Sequence, residues 1–336
     1  MKEILVISND RIFLSNKNIS SNYNDTLNIV ESISNNFDIN LISSNSKFKN
    51  NFSLRPKNKI TRFSLKSLNE LKKKKLKIFI ISITPRNVFF YFLIKFFYKN
   101  INGYVYLRSN GHKEYKKKFG FLGFIFYDIM QKYLSKDLKI ISVSKKIRSP
   151  KINYILRPSE LNAIWFKKIK KVNINTPKLL YFGSFKKEKG VYSLINISKN
   201  LNFDYEFTIA GDSNIGYQNN TKIKFLNEIS QIDKIIKLYD AHNIFILPSF
   251  TEGAPKVILE SLARKRPVII FKDIKHVKLN LKGVFVCERN PISLKKSVDF
   301  IIKNYKKIQL EMKKNNLPTK KDFQLKLAKI LNEPNN

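Results

Sequence analysis

The chain has 336 residues, with 64 Lys+Arg against 25 Asp+Glu, a net charge of +39, and 43% hydrophobic and 13% aromatic residues. That length and apolar content exclude a disordered chain and a single small core, and they predict about two domains. One cysteine, Cys287, excludes an intramolecular disulfide framework and a cysteine-based zinc site, and His112, His242 and His276 show no metal-ligand spacing.

Short apolar runs alternate with helix-compatible stretches from end to end. In the first half the strand candidates are EILVIS (3–8), DINLIS (38–43), KIFIISI (77–83), YVYLR (104–108) and KIISVS (139–144). Their near-continuous apolar character suits parallel strands covered on both faces. Helix-length segments at 21–35, 87–99 and 119–135 supply the crossovers of βαβ units. The polar, basic segment 165–177 has no apolar periodicity and reads as a linker. Beyond it the rhythm restarts with strands at 178–185, 204–211, 223–226, 243–249, 267–271 and 283–287. From about Pro291 the chain is helical and lysine-rich. The expected architecture is α/β: two Rossmann-like domains with parallel sheets facing a central cleft. The domains expected are 1–170, 171–315 and a helical tail, 316–336, packing back on the first. Ligands of such sheets bind beyond the carboxyl ends of the strands.

A large positive charge attracts anionic partners: nucleic acid, an acidic membrane surface or phosphorylated small molecules. Lys, Asn and Ile are abundant throughout, and compositional drift yields the same excess. No basic stripe or binding module marks a nucleic-acid reader, so no nucleic acid partner is expected. The opening MKEILVISND lacks the regions of a signal peptide, and no apolar run reaches the roughly 18 residues that span a bilayer. A cytoplasmic protein is the expectation. The aromatic, lysine-edged stretches 88–100 and 115–139 fit either amphipathic core helices or docking on the inner, anionic face of the cell membrane.

Residues 248–270, PSFTEGAPKVILESLARKRPVII, place Glu252 and Glu260 around a Gly-Ala-Pro turn. Proline is favoured at the start of a helix, and free N–H groups at a helix start with Gly253 beside them make an anion site. Glu252 would lie in the loop and Glu260 more than a turn inside the helix. A helix-end acid and a solvent-facing glutamate would leave the same letters.

This stretch resembles the donor-binding signature of family 4 ("group 1") glycosyltransferases of the GT-B fold. KLLYFGSFKKEKGVYSLI, FTIAGDSN and KFLNEISQIDKIIKLYDAHNIFILPS resemble further family motifs in the same order, over about 178–271. The resemblance implies a nucleotide-sugar-dependent glycosyltransferase, retaining and metal-independent, in cell-envelope polysaccharide, lipopolysaccharide or other glycan biosynthesis. It implies that Glu252 contacts the donor sugar and that the backbone of Gly253, Ala254, Pro255 and Lys256 holds sugar and phosphates. Glu260 would accept ribose hydroxyls, and Lys189 would pair with the leaving diphosphate. Gly183, Ser184, Gly211, Pro248 and Ser249 complete the implied donor site. In RSNGHKEY, His112 would touch the sugar, with Arg108 and Gly111 on the acceptor side. No cofactor or metal is implied; the partners are the donor and a glycan or lipid-linked acceptor. Three departures stand out: Ser184 where the family carries arginine, Asn227 for a usual glycine, and no Gly-Gly loop after Ser8. They keep open a degenerate nucleotide-binding relative as the alternative, with a basic nucleic-acid-binding protein a remoter one.

Overall fold

The computed structural model describes residues 2–15, 18–21, 23–45, 52–64, 76–98, 100–211 and 222–333. The chain forms two compact units: Met1–Pro158 with Lys321–Asn336, and Ser159–Lys320. The last three residues of the expected FTIAGDSN motif lie outside the described residues.

In the first unit the apolar runs become parallel strands: β1 (Glu3–Leu14), β3 (Asp38–Asn45), β5 (Ile60–Arg62), β6 (Leu76–Ile81), β7 (Ile101–Leu107), β8 (Lys139–Ser142) and β9 (Tyr154–Ile155). Their spatial order is β5-β3-β1-β6-β7-β8-β9, and each neighbouring pair is parallel. Two short strands, β2 (Ile19–Ser21) and β4 (Phe52–Leu54), add antiparallel pairs at the end of β1. The runs Ile4–Ile7 and Ile78–Ile81 are fully buried because α1 (Asn24–Ser34), α2 (Pro85–Phe97) and α3 (Gly111–Ser135) supply the layers that crossover connections bring to a parallel sheet. Gly120, at φ +64° and ψ −153°, breaks α3 into two segments. The apolar residues of α2 and α3 are not confined to the core. Phe89, Phe92 and Phe96 on α2, and Phe119, Phe121 and Leu122 on α3, are exposed, Phe96 and Leu122 by more than three-quarters (78% and 77%). Among the described residues no helix is long and apolar enough to cross a membrane.

The second unit holds β10 (Lys178–Phe182), β11 (Glu206–Ala210), β12 (Ile223–Leu226), β13 (Ile244–Leu247), β14 (Val268–Phe271) and β15 (Val284–Cys287). Their order is β12-β11-β10-β13-β14-β15, all parallel, the doubly wound order of a dinucleotide-binding sheet. The covering helices are α4 (Val191–Lys199), α5 (Ile232–Asp240), α6 (Lys256–Ala263), α7 (Pro291–Lys303) and α8 (Tyr305–Met312).

The boundary falls at Pro158/Ser159 rather than at residue 170, and the expected linker 165–177 belongs to the second unit. Its backbone forms little regular structure, so its carbonyls need partners from elsewhere. Two buried guanidiniums supply them. Arg264 donates to the carbonyls of Trp165 (2.9 Å), Lys167 (2.8 Å) and Lys168 (3.1 Å), and Arg266 to that of Lys170 (3.1 Å). Trp165 is itself buried. The second unit runs on to Lys320, past the expected residue 315: Ser159 Oγ donates to Pro318 O (2.6 Å) and Lys320 N to Leu161 O (2.7 Å). The helix α9 (Lys320–Asn332) then joins the first unit from Lys321 onward. Tyr104 donates to Ile330 O (2.7 Å), Lys77 to Leu331 O, and Tyr154 to Glu333.

Candidate functional site

In the second sheet the strand order reverses between β10 and β13, and the crevice beyond their carboxyl ends is where such folds take ligands. The chain leaves β10 through Gly183 and Ser184, makes a short 3-10 turn at Lys187–Lys189, and enters α4 at Gly190. It leaves β13 through Pro248 and Ser249 and enters α6 after Pro255. The two exits pack tightly. Gly190 sits at φ +69°, and a Cβ there would lie 2.1 Å from Pro248 O, so only glycine meets both demands. Phe250 N donates to Glu188 O at 2.9 Å, tying the loops together. Gly211, at the end of β11, is similarly constrained: a Cβ there would lie 2.0 Å from Gly183 O.

This packing brings Lys189 and Glu252 into contact. Lys189 Nζ lies 2.7 Å from Glu252 Oε1, and Ser249 Oγ donates to the same oxygen at 2.7 Å. The carboxylate side chain is 9% exposed and the lysine 34%. The ammonium therefore stands between solvent and a nearly enclosed acid. Among the described residues no side chain caps the starts of α4 and α6, and uncapped first-turn amides of this kind are donors suited to an anion.

Glu260, on α6, accepts a hydrogen bond from Tyr239 Oη at 3.1 Å. Burial, with Glu260 adding to it, pushes the Tyr239 phenol far above its ordinary range and keeps it a donor. The side chain of Lys256 is taken up by Glu160 at 2.7 Å, leaving its backbone at the helix start. The carbonyl of Ser184 accepts from the hydroxyl of Tyr181 (2.8 Å). Lys186 and Lys187 beside it are exposed.

Two residues at this site were not singled out from the sequence. His276 donates from Nε2 to Glu252 O (2.9 Å), fixing the peptide that leads into Gly253. Arg289, beyond β15, donates to Ser249 O (3.3 Å), pairs with Asp273 (2.7 Å) and lies between the rings of Phe250 and Phe271, at 4.0 and 4.5 Å. Among the described residues its buried NH1 has no hydrogen-bond partner, and it lies 3.3 Å from the Cβ position of Gly190. A lone arginine or histidine in a lysine-rich chain carries no sequence signal; only the folding together of β13, β14 and β15 gives it meaning.

The remaining candidates lie in the first unit. Arg108 is engaged on three sides: Nε donates to Ser82 Oγ (2.9 Å), NH1 to Thr26 Oγ1 (2.9 Å), and NH2 pairs with Asp10 (3.2 Å). Gly111 and His112 open α3. His112 is 2% exposed, its Nε2 3.0 Å from Asp128 Oδ1 and its ring against Tyr127 and Phe124 at 4.8 and 5.0 Å. Burial lowers its pKa against the opposing pull of Asp128. Where the resembled family has a Gly-Gly loop, β1 runs on to Leu14 and pairs with β2. Among the described residues no group of three His, Cys, Asp or Glu side chains is gathered to hold a metal.

Two units, each on a parallel sheet of Rossmann-type order, define the GT-B class of fold. The family model "Glycosyl transferases group 1" matches residues 165–317, nearly all of the second unit. The chain is 28% identical over 143 residues to "GalNAc-alpha-(1->4)-GalNAc-alpha-(1->3)-diNAcBac-PP-undecaprenol alpha-1,4-N-acetyl-D-galactosaminyltransferase" of Campylobacter jejuni, covering 40% of this chain and 39% of that one. It is 31% identical over 83 residues to an uncharacterized glycosyltransferase of Haemophilus influenzae, covering 24% of each. The matched stretch thus spans about two-fifths or less of these relatives' own length. Among solved structures, sucrose-phosphate synthase from Thermosynechococcus elongatus matches with a TM-score of 0.71 at 12% identity, over 98% of both chains. Anabaena HepE in complex with UDP and glucose matches with 0.67 at 12%, over 99% and 100%. WaaG, a glycosyltransferase involved in lipopolysaccharide biosynthesis, matches with 0.64 at 13%, over 98% and 100%. At these identities the likeness is one of fold.

Proposed function

We propose that this chain is a family 4 glycosyltransferase that moves a sugar from a nucleotide-sugar donor to an acceptor hydroxyl. The observation that carries the reading is the Lys189–Glu252–Ser249 contact at the switch point, between two helix starts that no side chain among the described residues caps. A donor entering there replaces an internal ion pair with ligand contacts. Sugar hydroxyls donate to Glu252, and the diphosphate draws Lys189 and the amides of Gly253, Ala254 and Lys256. As the bond from sugar to phosphate breaks, negative charge grows on the leaving oxygen. A preorganised ammonium and fixed dipoles stabilise that charge more in the transition state than in the ground state. Glu260, oriented by Tyr239, accepts the ribose hydroxyls. The acceptor hydroxyl attacks from the face the nucleotide leaves and passes its proton to the departing diphosphate oxygen, so configuration is retained and no protein nucleophile is required. Arg289 and His276 hold the two loops in place, and Lys189 with the helix starts carries the neutralising role at the diphosphate.

The acceptor we propose is lipid-linked, consistent with the PP-undecaprenol in the name of the Campylobacter relative. The exposed phenylalanines of α2 and α3, with Lys116, Lys117 and Lys118 exposed beside them, suit the inner, anionic face of a membrane. A cell-envelope glycan is the product class that follows.

The test is nucleotide release from a panel of labelled nucleotide sugars. Glu252→Ala and Lys189→Ala are each expected to lower turnover by about 10²-fold or more, the scale of losing one transition-state contact. Unchanged turnover in either variant overturns the assignment. Ser184, at the position where a second diphosphate cation is usual, favours the other reading, a nucleotide-binding relative without transfer. That protein would bind labelled donor and release no nucleotide with any acceptor.

A further inference from the structure

We infer that the elbow of α3 at Gly120 is a membrane-docking wedge: Phe119, Phe121 and Leu122 enter one leaflet of an anionic bilayer while Lys116, Lys117 and Lys118 rest on its phosphates. The inference rests on the lipid-linked acceptor proposed above. It narrows the membrane-facing surface from two helices to one tip, at the edge of the sheet where ligands bind.

The local sequence, KKKFGFLGF (116–124), sets a basic run directly before an apolar one. In one straight helix the two runs would wind around a common axis. Gly120, at φ +64° and ψ −153°, prevents that, because such a backbone belongs almost to glycine alone. Gly123 completes the bend: a Cβ there would lie 2.4 Å from Tyr115 O, so its absence lets the second segment pack back on the first. The ring of Phe119 meets Tyr115 at 5.9 Å and that of Phe121 stacks on Phe124 at 6.3 Å, which fixes the rings on both sides of the bend. Among the described residues, a Cβ on Gly120 would meet nothing within 4 Å, so the tip stands clear of its surroundings. Phe119, Phe121 and Leu122 are 64%, 67% and 77% exposed there.

Topology places this tip. α3 follows the carboxyl end of β7, and its second segment, 121–135, ends just before β8 begins at Lys139. That segment is about 22 Å long, the reach of a strand such as β7, so it runs the height of the sheet and starts at the carboxyl edge. The same edge is where a parallel sheet of this kind takes ligands. The occupant follows from charge. Within 111–122, Lys113, Lys116, Lys117 and Lys118 stand against one acid, Glu114, and all four lysines are exposed. Asp128, farther along, is taken by Lys132 (2.8 Å) and His112 (3.0 Å). On α2, Lys95 among the exposed rings is held by Asp137, so the cations that can answer lipid phosphates stand at the elbow. A second copy of the chain, at net charge +39, would set lysine against lysine at this tip. Apolar rings behind a basic collar suit an anionic leaflet, which buries the rings and attracts the lysines together. A docked tip carries Arg108 and Gly111, the acceptor-side candidates at the start of α3, toward headgroup depth, where the phosphate of a lipid-linked acceptor lies.

The experiment uses the full chain and vesicles of phosphatidylcholine with or without about one-third phosphatidylglycerol, with bromine along the acyl chains as quencher. Leu122→Trp and, separately, Phe96→Trp report depth; the single natural tryptophan, Trp165, is buried and serves as the unquenched reference. Leu122→Trp is expected to be strongly quenched in the mixed vesicles and Phe96→Trp at most weakly. Phe121→Ser combined with Leu122→Ser should lower vesicle affinity about 100-fold or more, the loss of two inserted side chains. Lys116→Gln, Lys117→Gln and Lys118→Gln together should lower it about 100-fold on the mixed vesicles and leave the weak binding to phosphatidylcholine unchanged. These side chains are exposed, so each variant should keep the natural thermal midpoint. Neither donor nor acceptor enters the assay, and Glu252→Ala should bind vesicles like the natural chain, so the transferase reading and this one fail separately. An unquenched Leu122→Trp, equal quenching at Phe96→Trp, or full vesicle affinity after the serine pair overturns the inference. So does a dimer in light scattering that the serine pair dissolves, since the tip would then be covered by a second copy.

Discussion

Asp240 serves two arginines at once in the second unit. Arg264 grips it through Nε (3.0 Å) and NH2 (2.6 Å), while Arg266 adds a longer contact (3.4 Å). The remaining donors of both guanidiniums close on backbone carbonyls, so the cluster is a buried network in which each charge has an answer. Removing one member strands the others. Arg264→Ala should destabilise the protein by about 3–5 kcal/mol in urea unfolding. Arg264→Lys should recover little of that, because a point charge cannot reach three carbonyls and a carboxylate together. A second buried group sets a pH dependence. His242 donates from Nδ1 to Leu238 O (2.6 Å), and its Nε2 lies 2.7 Å from Thr208 Oγ1. Burial pushes its pKa down from 6.5. The unfolded chain then binds the proton first as pH falls, so this contribution is full above about pH 6.5 and is lost below it. His242→Gln should flatten the fall of thermal midpoint between about pH 6.5 and 5. At this scale Glu252, Glu260 and Lys189 could be singled out as candidates because a glutamate spacing, a proline and a Lys-Gly pair stand in an ordered frame. Arg264, Arg266, Arg289 and His276 were not, since their partners come from segments far away in the chain.

Strands and helices were readable to the extent that their apolar runs are continuous. The six strands of the second sheet lie within the runs marked from the sequence, because a buried parallel strand has apolar residues on both faces. β2 and β4 went unread: three-residue strands of ISS and FSL carry no periodicity, and only the continuation of β1 to Leu14 creates an edge for them. Segment 165–177 was misread for the opposite reason, since its irregular backbone is fixed by side chains of α5 and α6 and the residues following them. The strand-to-helix turn before α4 is the element on which the candidate site turns. Gly190→Ala combines a left-handed φ with a clash against Pro248 O. It should separate the start of α4 from the end of β13 and pull Lys189 from Glu252. Donor titration by calorimetry should show weakened binding while far-ultraviolet circular dichroism is retained; unchanged affinity counts against the role of this turn.

At the scale of the whole molecule, the sequence showed two parallel-sheet units but placed their border too late. α9 is amphipathic and would pass for a tail; its sites are set by Tyr104, Lys77 and Tyr154 on the first unit, none of which announces itself. Phe323, Leu327, Ile330 and Leu331 are buried, and side chains of this kind contribute about 1.5–3 kcal/mol each, comparable in sum to the stability of a domain, about 5–15 kcal/mol. Ending the chain at Lys320 should therefore leave the second unit resistant to limited proteolysis and the first rapidly digested. Digestion of both at one rate would show that the units do not fold separately.

The return of α9 also sets an order of events during synthesis. The ribosome makes the nine strands of the first unit early, but the helix that covers Tyr104 follows only after every residue of the second unit. The first unit thus spends about the time needed to translate 160 residues, on the order of ten to thirty seconds at ordinary elongation rates, with apolar surface uncovered. In that interval the exposed phenylalanines of α2 and α3 are not the only hydrophobic surface it presents, and a nascent-chain chaperone that releases before residue 320 would release an unfinished unit.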